Sequence, residues 1–171
     1  MHRFVRLAAC AGLMALVSLL VPTGTVAHEH RDLLNGQYEV SIGFIEEPAF
    51  VGEKNGLYLR VDRIVAEPEA SPVAEVDGDA HAEGNPVEGL DATLQAEVIY
   101  GDQSMPLPLL PAFGEPGVYH SVFFPMAAGD YTFHVFGDIE GTPIDETFTS
   151  SPQGFDSVQP REPFEFPKPT S

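Results

Sequence analysis

Two histidines separated by one residue, His28 and His30, are the residues of this sequence best placed to bind a metal. If the chain is cut after Ala27, His28 becomes the first residue and acquires a free α-amine. That amine, two backbone amides and the imidazole of the third residue can then lie in one plane, a geometry that suits Cu(II) or Ni(II). A second arrangement pairs the amine and ring of His28 with a distant histidine. We predict a Cu(II) site at His28 and His30; the alternative is an exposed terminus that binds metal only opportunistically.

The residues before His28 predict such a cut. Residues 1–27 combine a basic start, an apolar run from Leu7 to Val21 and small residues before Ala27, which is the pattern of a secretory signal peptide. The apolar run is too short to span a membrane as a helix. We therefore expect a cleaved signal helix and a mature chain that is secreted, either to the periplasm or to the extracellular face, without membrane insertion.

Two further groups of residues carry weaker metal-binding signals. His120 and His134 would lie directly opposite each other in a simple hairpin, close enough to share a metal. If their strands instead belong to different sheets, they are two unrelated surface histidines, which is the interpretation we favour. Alternating acidic residues between Glu75 and Glu83 match part of a calcium-binding loop, but Ala82 stands where that loop needs glycine. This pattern favours a solvated loop.

Charge and composition narrow the class of protein. The 171 residues include 8 basic and 26 acidic side chains, and two of the basic ones lie in the predicted signal, so the mature balance is 6 − 26 = −20. Such a surface repels nucleic acid and attracts cations. The mature chain has no cysteine and none of the common hydrolase or phosphate-binding motifs. We predict no enzymatic activity, no catalytic residues and no nucleic-acid partner.

The elements that must position the histidines are short strands. Runs of alternating apolar and polar residues are separated by glycines and prolines, the pattern of an antiparallel sandwich. The runs predict strands around residues 38–44, 57–61, 94–98, 103–109, 119–123, 131–135 and 144–148. Side chains predicted to face the core are Tyr38, Val40, Ile42, Leu59, Val61, Val98, Tyr119, Phe123, Tyr131, Phe133 and Val135. The predicted fold is an all-β, immunoglobulin-like antiparallel β-sandwich of six or seven strands.

The same pattern sets the domain boundaries. Residues 28–36 form a mature N-terminal segment, and the sandwich extends over residues 37–156. Residues 66–89 are rich in proline and acidic residues and predict a flexible acidic insertion in one loop. Residues 157–171 carry four prolines and predict a disordered tail.

Two Gly-x-Tyr sequences near the end of the chain carry a resemblance to known folds. One opens at Gly117 and its strand ends at Pro125; the second opens at Gly129 and contains Tyr131. This layout resembles the penultimate strands of many immunoglobulin-like sandwiches, including filamin repeats. The resemblance implies that Tyr131 forms a tyrosine corner, with a buried ring and a hydroxyl bonded to backbone.

A narrower resemblance joins this pair to the signal peptide and to the segment Gly-Asn-Pro-Val-Glu-Gly at residues 84–89. The combination is similar to exported bacterial YtkA-like domains and periplasmic copper-resistance immunoglobulin-like domains. Carriers of this kind bind copper through an N-terminal histidine. The resemblance therefore implies an exported, non-enzymatic domain that binds copper or another divalent metal through His28.

A second function stays open from the sequence. The domain could be an extracytoplasmic protein-interaction or structural module that needs no metal. Its contact site would then be the insertion at residues 66–89 or the tail at residues 157–171.

Overall fold

Two antiparallel β-sheets form the computed structural model, which describes residues 28–65 and 84–168. The predicted signal peptide at residues 1–27 and most of the predicted insertion, residues 66–83, lie outside the described residues. The strands are β1 (Glu29–Leu33), β2 (Tyr38–Phe44), β3 (Asn55–Arg63), β4 (Asn85–Pro86), β5 (Leu94–Tyr100), β6 (Gln103–Leu107), β7 (Leu110–Pro111), β8 (Val118–Phe123), β9 (Thr132–Ile139) and β10 (Thr142–Thr149). Short 3-10 helices span Leu90–Ala92 and Glu162–Phe164.

One sheet has the strand order β1-β2-β3-β8-β7, with β4 paired to the end of β3, and the other has the order β10-β9-β5-β6. The all-β sandwich predicted from the alternation is confirmed. The seven predicted strands are all present, and the structure adds β1, β4 and β7. Two of the added strands have only two residues each, and both contain proline, which cannot donate to a sheet ladder. No helix among the described residues is long and apolar enough to cross a membrane.

The core lies between the two sheets and is rich in aromatic rings. Every side chain that the alternation predicts to be buried is buried. Phe44 from the first sheet lies 5.4 Å from Phe133 of the second, measured between ring centroids, and Phe155 lies 5.2 Å from Phe133. Offset and edge-on ring pairs at these distances add to the stabilisation from buried apolar area. Because rings from both sheets interlock, the position of one sheet relative to the other is fixed, and so is the position of the outer faces.

Two tyrosines tie loops to this core. The hydroxyl of Tyr131 donates to the carbonyl of Ala127 at 3.0 Å and accepts from its amide at 3.3 Å, the geometry of a tyrosine corner. The fully buried Tyr119 donates to the carbonyl of Val87 at 2.8 Å and accepts from the amide of Leu90 at 3.0 Å. Tyr119 therefore holds Val87, near the end of the segment 66–89 predicted to be a flexible insertion, and Leu90, the residue that follows this segment.

The sandwich extends beyond the predicted boundaries at both ends. Residues Glu29–Leu33, predicted to precede the domain, pair with β2 along their whole length. Part of the segment predicted to be a disordered tail also packs on the domain, because Val158 is buried and forms a bridge with Gly129. Phe155, just before it, is fully buried against Phe44 and Phe133. The apolar contacts of Val158 thus hold this part of the segment on the domain, although its proline content predicted disorder.

Candidate metal site at the first strand

His28 and His30 lie on the outer face of the first sheet. Leu33 is buried in the core, and side chains alternate along a strand, so residues 29, 31 and 33 face inward while residues 28 and 30 face outward. Inward-facing Arg31 confirms this orientation, because its guanidinium lies 4.1 Å above the ring of Phe148 in the opposite sheet. The structure thus brings the two predicted ligand residues to one face of one strand.

The ring of His28 contacts both a side chain and the backbone on this face. It stacks on Tyr58 with ring centroids 4.4 Å apart and planes inclined by 30°. The register of β1 on β2, in which Glu29 pairs with Ile42, places His28 opposite Gly43, and Gly43 pairs in turn with Tyr58. Since glycine has no side chain, the two rings can meet above it.

The second contact of His28 determines the protonation of its ring. Its Nε2 lies 3.2 Å from the carbonyl oxygen of Phe44, and a carbonyl can only accept. Nε2 therefore carries the proton, and the lone pair of the neutral imidazole is on Nδ1. A backbone carbonyl is one of the common partners of the other ring nitrogen in a metal-ligating histidine, together with carboxylates and water.

The ring of His30 is held differently. Its Nδ1 lies 2.9 Å from the hydroxyl of Ser41 and 3.0 Å from a carboxylate oxygen of Glu39, both on β2. Nδ1 is the nitrogen that a planar four-nitrogen site takes from the third residue. Such a site also wraps the backbone of the first three residues around the metal, whereas Glu29 and His30 pair with Ile42 and Ser41 in the sheet. The folded strand therefore competes with the planar arrangement.

The other two candidate histidines lie apart from each other. His120 is on β8 in the first sheet and His134 is on β9 in the second, as the tyrosine-corner interpretation predicts. His120 lies 5.6 Å from Tyr58 between ring centroids, on the side away from His28, and its Nε2 is buried with no hydrogen-bond partner. The rings of His28, Tyr58 and His120 thus form a row across the outer face.

His134 belongs to a separate polar cluster. Its Nδ1 lies 2.9 Å from Glu97 and its Nε2 lies 2.8 Å from Asp145. Hydrogen bonding to Glu97 and then to Asp145 raises the pKa of His134 above its ordinary value. Both ring nitrogens are engaged by carboxylates of neighbouring strands, so this histidine ties β5, β9 and β10 together. In the part of the chain that the structure describes, no group of three or more histidine and carboxylate side chains is arranged to hold a metal.

A half-buried carboxyl group, that of Glu47, lies close to the anchor of His28. Glu47 accepts the amide hydrogen of Phe44 at 3.0 Å, while its other oxygen is buried without a partner. Burial raises the pKa of Glu47 to about 7, and hydrogen bonds from the backbone of Phe44 and Asp156 offset only part of this effect. The backbone of Phe44 therefore accepts a hydrogen bond from the ring of His28 at its carbonyl and donates one to the carboxyl group of Glu47 from its amide.

Sequence reasoning missed the side chains that hold the two histidines, namely Tyr58, Glu39 and Ser41. The sequence did contain a signal for Tyr58. It lies between Leu57 and Leu59, which face inward, so the alternation predicts an aromatic side chain on the outer face. Their approach to the histidines depends on β1, a strand that the alternation did not predict. No protein-family model matches the chain, and no curated protein matches it either.

Proposed function

We propose that the mature chain is an exported, non-enzymatic immunoglobulin-like domain that captures Cu(II) through its N-terminal residue, His28. Cleavage after Ala27 would give this residue a free amine. The amine and Nδ1 of one histidine can chelate a single ion, and bound Cu(II) would be held by nitrogen ligands of the kind it prefers. The copper-resistance resemblance and the absence of cysteine from the mature sequence support the same proposal.

The observation that carries the proposal is the hydrogen bond from Nε2 of His28 to the carbonyl of Phe44. It leaves the lone pair on Nδ1, the ring nitrogen nearer to the backbone and therefore to the future amine. Stacking on Tyr58 restrains the same ring. A ligand whose orientation is fixed before binding loses less conformational entropy when the metal arrives.

The charge of the mature chain supports cation capture at this site. A balance of −20 raises the local concentration of cations around the domain. Protons compete with the metal for the amine and the imidazole, so affinity should fall as the pH is lowered.

Single substitutions distinguish the two candidate geometries. In a Cu(II) titration of residues 28–171, His28→Ala should bind at least about tenfold more weakly than the native chain. Loss of a residue that only hydrogen-bonds to a metal ligand already lowers affinity by about tenfold, and this variant loses the ligand itself. His30→Ala should bind nearly as well as the native chain, and His134→Ala is the matched control on the opposite sheet. Loss of binding in His30→Ala alone would instead establish the planar site. Unchanged binding in both variants would refute a site at the N-terminus.

A further inference from the structure

The two lateral sides of the sandwich differ in how they are closed. On the side of β1 and β10, Arg31 bonds to Glu29 at 2.6 Å and to Glu146 at 3.1 Å, linking the two sheets. Arg63 and Glu140 form a second ion pair on this side, joined by the hydroxyl of Tyr38. Ion pairs and hydrogen bonds therefore cover the core along this side.

The opposite side, formed by β6, β7 and the end of β8, exposes apolar side chains instead. In the described part of the chain, eleven large apolar side chains are exposed, and seven of them lie between residues 100 and 126. Val122 is 53% exposed, Phe124 55% and Met126 73%. Single exposed apolar residues are ordinary on a soluble protein, but such a concentration on one side marks an interaction surface. We call residues 100–126 on this side the apolar flank.

The short strand β7 leaves part of β8 uncovered on this flank. β7 pairs with β8 only at His120 and Tyr119, so Val122 has no neighbouring strand on that side among the described residues. A shallow cavity of about 290 Å³ adjoins Val122 and is lined also by Ile45 and by His120, whose Nε2 is buried without a partner. Glu46 and Lys54, which carry opposite charges, complete the charged part of its lining. A second cavity of about 160 Å³ lies between Phe124 and Met105. The flank thus offers both apolar contact area and concave sites for side chains of a partner.

Charge identifies the chemistry of the partner. The sequence contains no lysine or arginine from Ile64 to Pro160. Within the flank, Asp102 and Glu115 supply the only formal charges. A second copy of this chain would bring the same acidic groups against them, and like charges across an interface are costly. Arginine, in contrast, can pair with carboxylates and stack on exposed aromatic rings.

We propose that the apolar flank docks a basic protein partner that contributes arginine and aliphatic side chains. Apolar side chains of the partner cover Val122 and Phe124, and its cations pair with Asp102 and Glu115, the carboxylates of the flank. This interface adjoins His120 at one end of the outer-face row, but it does not include His28 and does not require copper.

Defined peptides test the proposal on the mature chain. Two synthetic peptides have equal length and leucine content, one with arginine and the other with glutamate at the remaining positions. Fluorescence anisotropy should show binding of the arginine peptide and none of the glutamate peptide. The double variant Val122→Ser/Phe124→Ser keeps the net charge and should bind the arginine peptide at least about tenfold more weakly, as expected when central contacts of an interface are lost.

The matched control Val65→Ser/Phe166→Ser removes two other exposed apolar side chains and should bind like the native chain. A second flank variant, Leu110→Ser/Met126→Ser, repeats the test if the first is poorly folded, and it should weaken binding in the same direction. Equal binding of the arginine peptide by native and flank variants would overturn the proposal, because only long-range charge attraction would then operate. A concentration-dependent dimer that the flank substitutions abolish would overturn it in favour of a second copy.

Discussion

Glu47→Gln should stabilise the protein at neutral and alkaline pH. The native carboxyl group has one oxygen bonded to the amide of Phe44 and the other buried without a partner. Its pKa is raised to about 7 from 4.5, mainly by burial. The folded state therefore holds the proton more tightly than the unfolded chain does, and this contribution to stability is lost as the pH rises from about 4.5 to about 7.

The magnitude follows from that pKa difference. A change from 4.5 to about 7 corresponds to at most about 3.4 kcal/mol. Because Glu47 is only partly buried, solvent screening reduces the expected effect to about 1–2 kcal/mol. Glutamine keeps the acceptor for Phe44 and carries no charge, so the variant should gain that amount over the native protein at pH 8 and nothing below pH 4.5.

Urea unfolding of native protein and variant across this pH range measures the difference, since titration of all other groups is common to both. Glu46→Gln is the matched control, because it removes the same charge from an exposed neighbouring position. Comparison with this control separates the effect of burying the Glu47 carboxyl group from the effect of changing the net charge by one. A Glu47→Gln difference that is flat over this range, or a variant less stable than the native protein at pH 8, would refute the reasoning.

Two further outcomes follow from the hydrogen bonds of single side chains. Tyr119→Phe should lower the free energy of unfolding by about 2–4 kcal/mol, because the carbonyl of Val87 and the amide of Leu90 are left buried without a partner. Tyr131→Phe should lower the free energy of unfolding by only about 1 kcal/mol, because the hydrogen bond of Tyr131 to Ala127 is only partly buried. Equal losses in the two variants, measured by urea unfolding, would contradict the larger role given to Tyr119. NMR titration should show a pKa of His134 above 6.5 that falls toward that value in Glu97→Gln; an unchanged pKa would rule out that ion pair as the cause.

The fold could be predicted largely from local patterns. Alternation along β2, β3 and β9 reveals which side chains face the core, because inward and outward positions repeat every two residues. The Gly-x-Tyr pair predicts the tyrosine corner at Tyr131, which the structure confirms. These features depend on residues close together in sequence, so the sequence alone contains the information.

The surroundings of the candidate site could not be predicted in this way. Strand β1 has one buried apolar residue, Leu33, and its polar side chains find partners on β2 and β10. The stacking of His28 on Tyr58 depends on the register of three strands. Burial raises the pKa of Glu47, and the backbone of Asp156, more than a hundred residues further along the chain, offsets part of that rise. Tertiary contacts of this kind leave no local signature.

The most direct test of Cu(II) capture at the N-terminus is an affinity measurement on a chain with one added alanine ahead of His28. Mass spectrometry of the exported protein first establishes that the mature chain begins at His28. The extra residue moves the amine away from the His28 ring while leaving the strand, its contacts and the net charge unchanged. Cu(II) affinity should fall by at least about tenfold relative to the native terminus, since the amine no longer belongs to the chelating residue. Equal affinity of the two chains would contradict the proposed site.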